Sequence, residues 1–197
     1  MKKADRLAGL LERGNGYIKT GEALALGVSA TYFHNFVADR NLVRVGKGLY
    51  KSEGAWDDSL YAIGALNGKV CFSHETALYL NGLMEREPFE TTVSAPRGYN
   101  ATHLRKRGIR IFQLDEGKYL LGKTELPTPF GNNVAAYDRE RAVCDLLRNK
   151  GNTDVQIFKT AFKLYFRRHD KNIPMLMRYA RAFNIEDAMG KYAEVLL

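Results

Sequence analysis

Between Lys19 and Lys51 the chain is punctuated so closely that few folds can accommodate it. Thr20 to Val37 carries apolar residues at helical spacing and is broken once, at Gly27; Leu42-Val43-Arg44-Val45-Gly46-Lys47-Gly48-Leu49-Tyr50-Lys51 follows almost at once. A glycine between two short helices permits the unusual backbone geometry of a tight turn, and glycines around Lys47 suit the tip of a strand pair. Two helices crossing through such a turn also need a small residue at the point where they meet, which Ala23 supplies. Leu26, Val28, Phe33 and Phe36 take the inward positions, and Glu22 stands where an apolar residue is more usual. The order helix, turn, helix, basic hairpin predicts an N-terminal winged helix-turn-helix, a DNA-binding arrangement.

At 197 residues and 45% hydrophobic content the chain can bury a substantial core. The net charge of +8 is unevenly spread. Residues 1–51 hold nine Lys/Arg against four Asp/Glu, residues 52–137 nine against ten, and residues 138–197 twelve against eight. Positive charge therefore collects at both ends of the sequence, as expected for a partner that is a polyanion. No apolar run is long enough to span a bilayer, and Met-Lys-Lys leads into a charged amphipathic stretch, so a soluble cytoplasmic protein with no membrane partner is expected. Cys71 and Cys144 lie in apolar contexts without metal-ligand spacing, which predicts buried free thiols.

The pattern predicts an α+β protein: a winged helix-turn-helix over residues 1–51, then a mixed α/β domain over 52–197 that ends in a helical region. Helices are expected at Lys3–Arg13, from a cap at Thr20 to Gly27, and from a cap at Ser29 through Val37. Beyond the joint at Ser52-Glu53-Gly54, helices are expected at Trp56–Leu66, Ser73–Leu80 and Ala101–Arg107. Strands are expected at Lys69–Phe72, Thr91–Ala95, Gly108–Leu114 and Val134–Tyr137, with Asp115-Glu116-Gly117 and Pro127–Asn133 as turn and loop. Four closing helices are expected at Asp138–Asn149, Thr153–Arg168, Ile173–Phe183 and Ile185–Leu197.

In this arrangement Ser29, Thr31, Tyr32, His34 and Asn35 face a major groove, where Asn pairs with adenine edges and Thr meets the thymine methyl. Tyr32 reads equally well as a partly buried core residue. Lys19 and Thr20 open the bihelical unit at the same face, while Arg44, Lys47 and Lys51 hold phosphate or enter the minor groove. Lys159, Lys163 and Arg167 recur every four residues beside Arg168, with Arg178 and Arg181 on the next helix; they form either a solvated face or a second anionic contact. No catalytic, cofactor or metal set is expected. His74-Glu75 lacks the second His of a zinc-binding helix, no phosphate-binding glycine loop is present, and Asp138 and Glu140 suit a helix N-terminus without further chemistry.

Two later segments carry a resemblance: Phe72-Ser73-His74-Glu75-Thr76-Ala77-Leu78-Tyr79-Leu80-Asn81-Gly82-Leu83, and Tyr137-Asp138-Arg139-Glu140-Arg141-Ala142-Val143-Cys144-Asp145-Leu146-Leu147. In this order after Gly48-Leu49-Tyr50, they resemble the AbiEi family of antitoxins and transcriptional regulators. The resemblance implies the antitoxin of a type IV toxin-antitoxin system associated with abortive infection and phage resistance. Its N-terminal domain would bind inverted repeats in its own promoter and repress the operon. Its C-terminal domain would counter a nucleotidyltransferase-like toxin without requiring a stable complex, and Glu140, Arg141 and Asp145 would be a structural signature of that domain. The rival expectations are a winged-helix regulator with a ligand- or protein-binding C-terminal domain, and an enzyme using Glu140, Asp145 or His74.

Overall fold

A computed structural model describes residues 2–196, with Leu196 described in its backbone alone. The chain is a mixed α+β protein with, among the described residues, eleven α-helices, a short 3-10 helix and two sheets. It divides into two compact units, residues 1–68 with 127–134, and residues 69–126 with 135–197.

In the first unit, α1 (Lys3–Arg13) turns through Gly14-Asn15-Gly16 into β1 (Tyr17–Lys19), followed by α2 (Thr20–Ala25) and α3 (Ala30–Asp39). The hairpin β2 (Val43–Gly46) and β3 (Leu49–Lys51) completes an antiparallel sheet of order β1-β3-β2. Leu7, Ile18, Ala23, Val28, Phe33, Phe36 and Leu42 form the core of this part, so the inward set expected from residue spacing is buried or half-buried. Gly27 adopts φ +75 in open space, so it is the backbone conformation that favours glycine there. Ser29 caps α3 by accepting from Tyr32 N at 3.3 Å. Thr20, expected as a cap, is instead the first residue of α2; Lys19 holds the cap position, and Thr20 N donates to Gly48 O at 2.8 Å.

The expected joint at Ser52-Glu53-Gly54 lies inside this unit. Helix α4 (Ser59–Leu66) sets Ala62, Tyr61, Ala65 and Leu66 against Tyr17 and Leu49, which binds it to the sheet. It begins later than Trp56, because Asp58 is the cap that accepts from Tyr61 N at 2.9 Å. The other Asp58 oxygen accepts from Thr128 Oγ1 at 2.6 Å and Asn132 Nδ2 at 2.8 Å, which ties the 127–134 segment to the same unit.

The second unit contains a five-stranded mixed sheet of order β6-β5-β4-β8-β7, built from β4 (Cys71–Phe72), β5 (Thr92–Pro96), β6 (Arg110–Leu114), β7 (Lys123–Pro127) and β8 (Asn133–Tyr137). Strand β4 runs antiparallel to β5 and parallel to β8, and β5 runs parallel to β6. Helices α5 (His74–Leu80), α8 (Arg139–Arg148), α9 (Val155–Arg167), α10 (Ile173–Ala182) and α11 (Glu186–Leu196) share one core centred on Val143, Cys144, Phe162 and Tyr165. Helix α6 (Thr102–Arg105) is shorter than expected, and α9 is capped by Asp154 rather than opened at Thr153. Helix α7 (Glu116–Leu120) begins inside the expected turn at Asp115-Glu116-Gly117, and strand β7 falls in a stretch to which local spacing assigns no element. The final residue of the expected last helix, Leu197, lies outside the described residues. No helix among the described residues is long and apolar enough to cross a membrane.

Candidate nucleic-acid interface

Helix α3 is locked on one side and open on the other. Phe33 and Phe36 are buried, and Phe33 packs edge-on against Tyr50 of β3 with ring centroids 5.6 Å apart. Thr31, Tyr32, His34 and Asn35 are exposed on the remaining surface. Thr31 and Asn35 stand one turn apart, so both address the same strip of any ligand laid along the helix. Ser29 is also exposed, but its hydroxyl accepts the capping bond, which leaves its O–H donor and one lone pair for a ligand. Tyr32 is 37% exposed, and the Lys3 ammonium sits 5.8 Å from its ring centroid.

The cations expected around this helix divide into two kinds. Lys47 is exposed at the hairpin tip. Arg44 is also exposed, its Nε donating to Gly46 O at 3.3 Å across an irregular register in the hairpin. Lys51 is turned inward, 11% exposed, donating to Ala55 O at 3.0 Å and lying 2.6 Å from an Asp57 carboxylate oxygen. Its charge is therefore matched locally, and it does not join the exposed set. Lys19 is partly drawn in as well, 3.5 Å from Glu22 and 5.4 Å from the centre of the Tyr61 ring, whose hydroxyl titrates above its usual range because it is buried.

Two cations not singled out from the sequence flank the same surface. Lys3 lies over Tyr32, and Arg6 Nη1 donates to Leu26 O at 3.3 Å, at the end of α2. Their signal is the basic excess of residues 1–51, which does not say which face of α1 carries it.

The second unit is organised around buried charge. Arg141 and Asp145 are fully buried on α8, with Nε 3.2 Å from both carboxylate oxygens. Arg141 Nη1 donates to Lys118 O at 2.7 Å and Leu121 O at 2.6 Å, and the guanidinium lies 4.0 Å from the Tyr137 ring centroid and 4.3 Å from that of Phe183. Gly122, at φ +75, passes so close that a Cβ there would lie 2.7 Å from Arg141 Cβ. Glu140 accepts from Tyr165 Oη at 3.2 Å and Asn172 N at 3.0 Å. Asp138 caps α8 through Arg141 N at 2.8 Å and accepts from Tyr179 Oη at 2.7 Å; burial raises its pKa above the usual carboxylate value. These side chains join α7, α8, α9 and α10 by hydrogen bonds.

His74 is buried at φ +48, stacked on Phe112 with centroids 3.5 Å apart, and its Nδ1 is 3.1 Å from Ser73 Oγ. Burial lowers its pKa and favours the neutral ring. Both cysteines are buried free thiols, and burial pushes Cys71 up to about 12. Of the second cationic set, Lys159, Lys163 and Arg167 are exposed on α9 and Arg178 on α10. Arg168 is bound to Asp170 at 2.7 and 2.9 Å, and Arg181 to Glu186 at 3.0 and 2.6 Å, so these two are neutralised by neighbours.

No protein-family model matches the chain, and no curated protein matches it. Among solved structures, the crystal structure of the RV2827C protein from Mycobacterium tuberculosis is similar, with a TM-score of 0.56 at 14% identity. The match covers 99% of this chain and 80% of that one, a likeness of fold.

Proposed function

We propose that the first unit is a winged helix-turn-helix that binds double-stranded DNA, and that the protein is an AbiEi-type antitoxin that represses its own operon. The observation that carries this reading is α3: Thr31, His34 and Asn35 point to solvent from a helix fixed by Phe33 and Phe36, beside the glycine-flanked Lys47 of the hairpin. Base edges are read by short polar side chains on a rigid helix, while phosphates are held by exposed cations whose charge no carboxylate matches. Thr31, His34 and Asn35 form the reading set; Lys47, Arg44, Lys3 and Arg6 form the phosphate set, with Lys19 and Thr20 at its border.

The antitoxin half rests on the resemblance at residues 72–83 and 137–147. The buried engagement of Glu140, Arg141 and Asp145 supports a structural signature, since each is consumed in holding helices together. Countering a nucleotidyltransferase-like toxin then falls to the surface of the second unit. Co-expression with the product of the adjacent gene tests this: growth arrest by that product alone, relieved by this protein, is expected. A harmless neighbour, or one that stays toxic beside this protein, would leave a winged-helix regulator without an antitoxin role.

A further inference from the structure

The chain has a single tryptophan, Trp56, which is 76% exposed. Its ring stacks on Phe130, itself 43% exposed, with centroids 6.2 Å apart at 23°. A paired aromatic surface left to water is a mark of an interaction site. Its backbone is pinned: Trp56 O accepts from Tyr17 Oη at 2.8 Å, and Asp58 holds the 127–134 segment that carries Phe130 through Thr128 and Asn132. The rings are thus presented by a preformed support, which lowers the ordering cost of binding. Residues 52–58 include Glu53, Asp57 and Asp58 and no Lys or Arg, and residues 127–134 carry no charge. With Asp58 buried, the wedge is bordered by Glu53, which has no ion-pair partner among the described residues, and by Asp57, whose carboxylate is paired with Lys51 at 2.6 Å but 90% exposed.

The second unit carries an aromatic groove of the opposite sign. A groove of about 410 Å³ between α9 and α11 is lined by Phe158, Phe162, Tyr192 and Val195, with Lys159 and Lys163 as its charged residues and, among the described residues, no carboxylate. Lys150 Nζ donates to Tyr192 Oη at 2.8 Å, and Val195 is 82% exposed. A phosphate backbone would use the lysines and leave the aromatic floor without a partner. An aromatic side chain flanked by carboxylates uses both.

We propose that this groove receives the Trp56–Phe130 wedge of a second copy of the chain, with Glu53 and Asp57 facing Lys159 and Lys163. The contact is one of protein with protein, and it stands whether or not either copy binds DNA. Two rings seated in one groove bury less than a permanent interface does, so weak self-association, in about the micromolar to millimolar range, is expected.

Trp56 reports on its own environment without background from another indole. Its emission is to be followed over a series of full-length protein concentrations, with sedimentation velocity on the same samples. A shift to shorter wavelength with rising concentration, accompanied by a larger species, is expected. Lys159→Glu/Lys163→Glu and Glu53→Lys/Asp57→Asn proteins should each keep the emission of an exposed indole throughout. Mixing the two variants should bring the shift back, which a misfolded variant could not do. Emission that never moves, a shift that survives the lysine reversal, or a mixture that stays inert would each overturn the proposal. So would a lysine reversal that alters the salt dependence of DNA binding and leaves association untouched.

Discussion

Replacing Asp145 by Ala removes the carboxylate that faces a guanidinium with no access to water. Arg141 and Asp145 both have fully buried side chains, and Arg141 cannot shed its proton to escape. Breaking a buried pair from one side costs about 3–5 kcal/mol, because the remaining charge is left uncompensated. The carbonyls of Lys118 and Leu121 still accept from Nη1, which holds the expected value toward the lower end of that range. Arg141→Met instead keeps apolar contact with Tyr137 and Phe183 but strands both carbonyls, at about 1–3 kcal/mol each. In Arg141→Met/Asp145→Ala no unpaired charge stays enclosed, since Arg148, the other partner of Asp145, is 31% exposed and can turn to water. The double variant should therefore cost less than the sum of the single ones, with a coupling of about 2 kcal/mol. Urea unfolding followed by circular dichroism, with m-values compared, measures this. An Asp145→Ala protein within about 1 kcal/mol of the parent, or strict additivity, would refute the view of α8 as a charge-tied hub.

Other consequences follow from the same geometry. His74 titrates below its ordinary value of 6.5 because it is buried, so the folded state binds fewer protons than the unfolded one below that pH. Stability should fall as pH drops through 6.5, and His74→Asn, which tolerates the positive φ, should flatten that part of the curve in a thermal-melt series. Cys71 and Cys144, both buried, should resist a thiol-specific reagent in the native protein and react together in denaturant, with rapid native labelling of either contradicting the core described here. Lys47→Ala should weaken DNA binding across sequences and reduce the salt slope by about one, whereas Lys51→Ala should lower the melting temperature and leave the slope unchanged. The reverse result would exchange the roles assigned to the two lysines.

Much of the first unit is legible in the sequence because its determinants are local. The Gly14-Asn15-Gly16 stop, the Ser29 cap, the turn at Gly27 and the three- and four-residue spacing of Phe33, Phe36 and Val37 act within a few residues of one another. What escapes depends on distant partners. Helix α7 contains Gly117 and looks like a turn, yet Arg141, distant in the chain, donates to the carbonyls of Lys118 and Leu121 at its end and so replaces the missing cap. The expected joint near residue 52 reads as a break in pattern, but Tyr17 and Leu49 need the apolar face of α4 to cover them. Among the candidate site residues, type and position along the chain are readable and commitment is not. Lys51 carries the same charge as Lys47, and only the placement of Asp57 and Ala55 shows that it is occupied. Arg168 and Arg181 read as free cations for the same reason, since Asp170 and Glu186 neutralise them through the turns that follow their helices.

The central claim is that α3 reads DNA. A footprint of the full-length protein on the promoter upstream of its own gene tests this most directly, alongside Thr31→Ala/Asn35→Ala protein shown to melt at the parent temperature. Protection of a pair of inverted repeats is expected. The double substitution should cost about 1–3 kcal/mol for each base pair no longer read and blur discrimination at the matching positions. No protected repeat, or protection identical in affinity and sequence preference for both proteins, would contradict it.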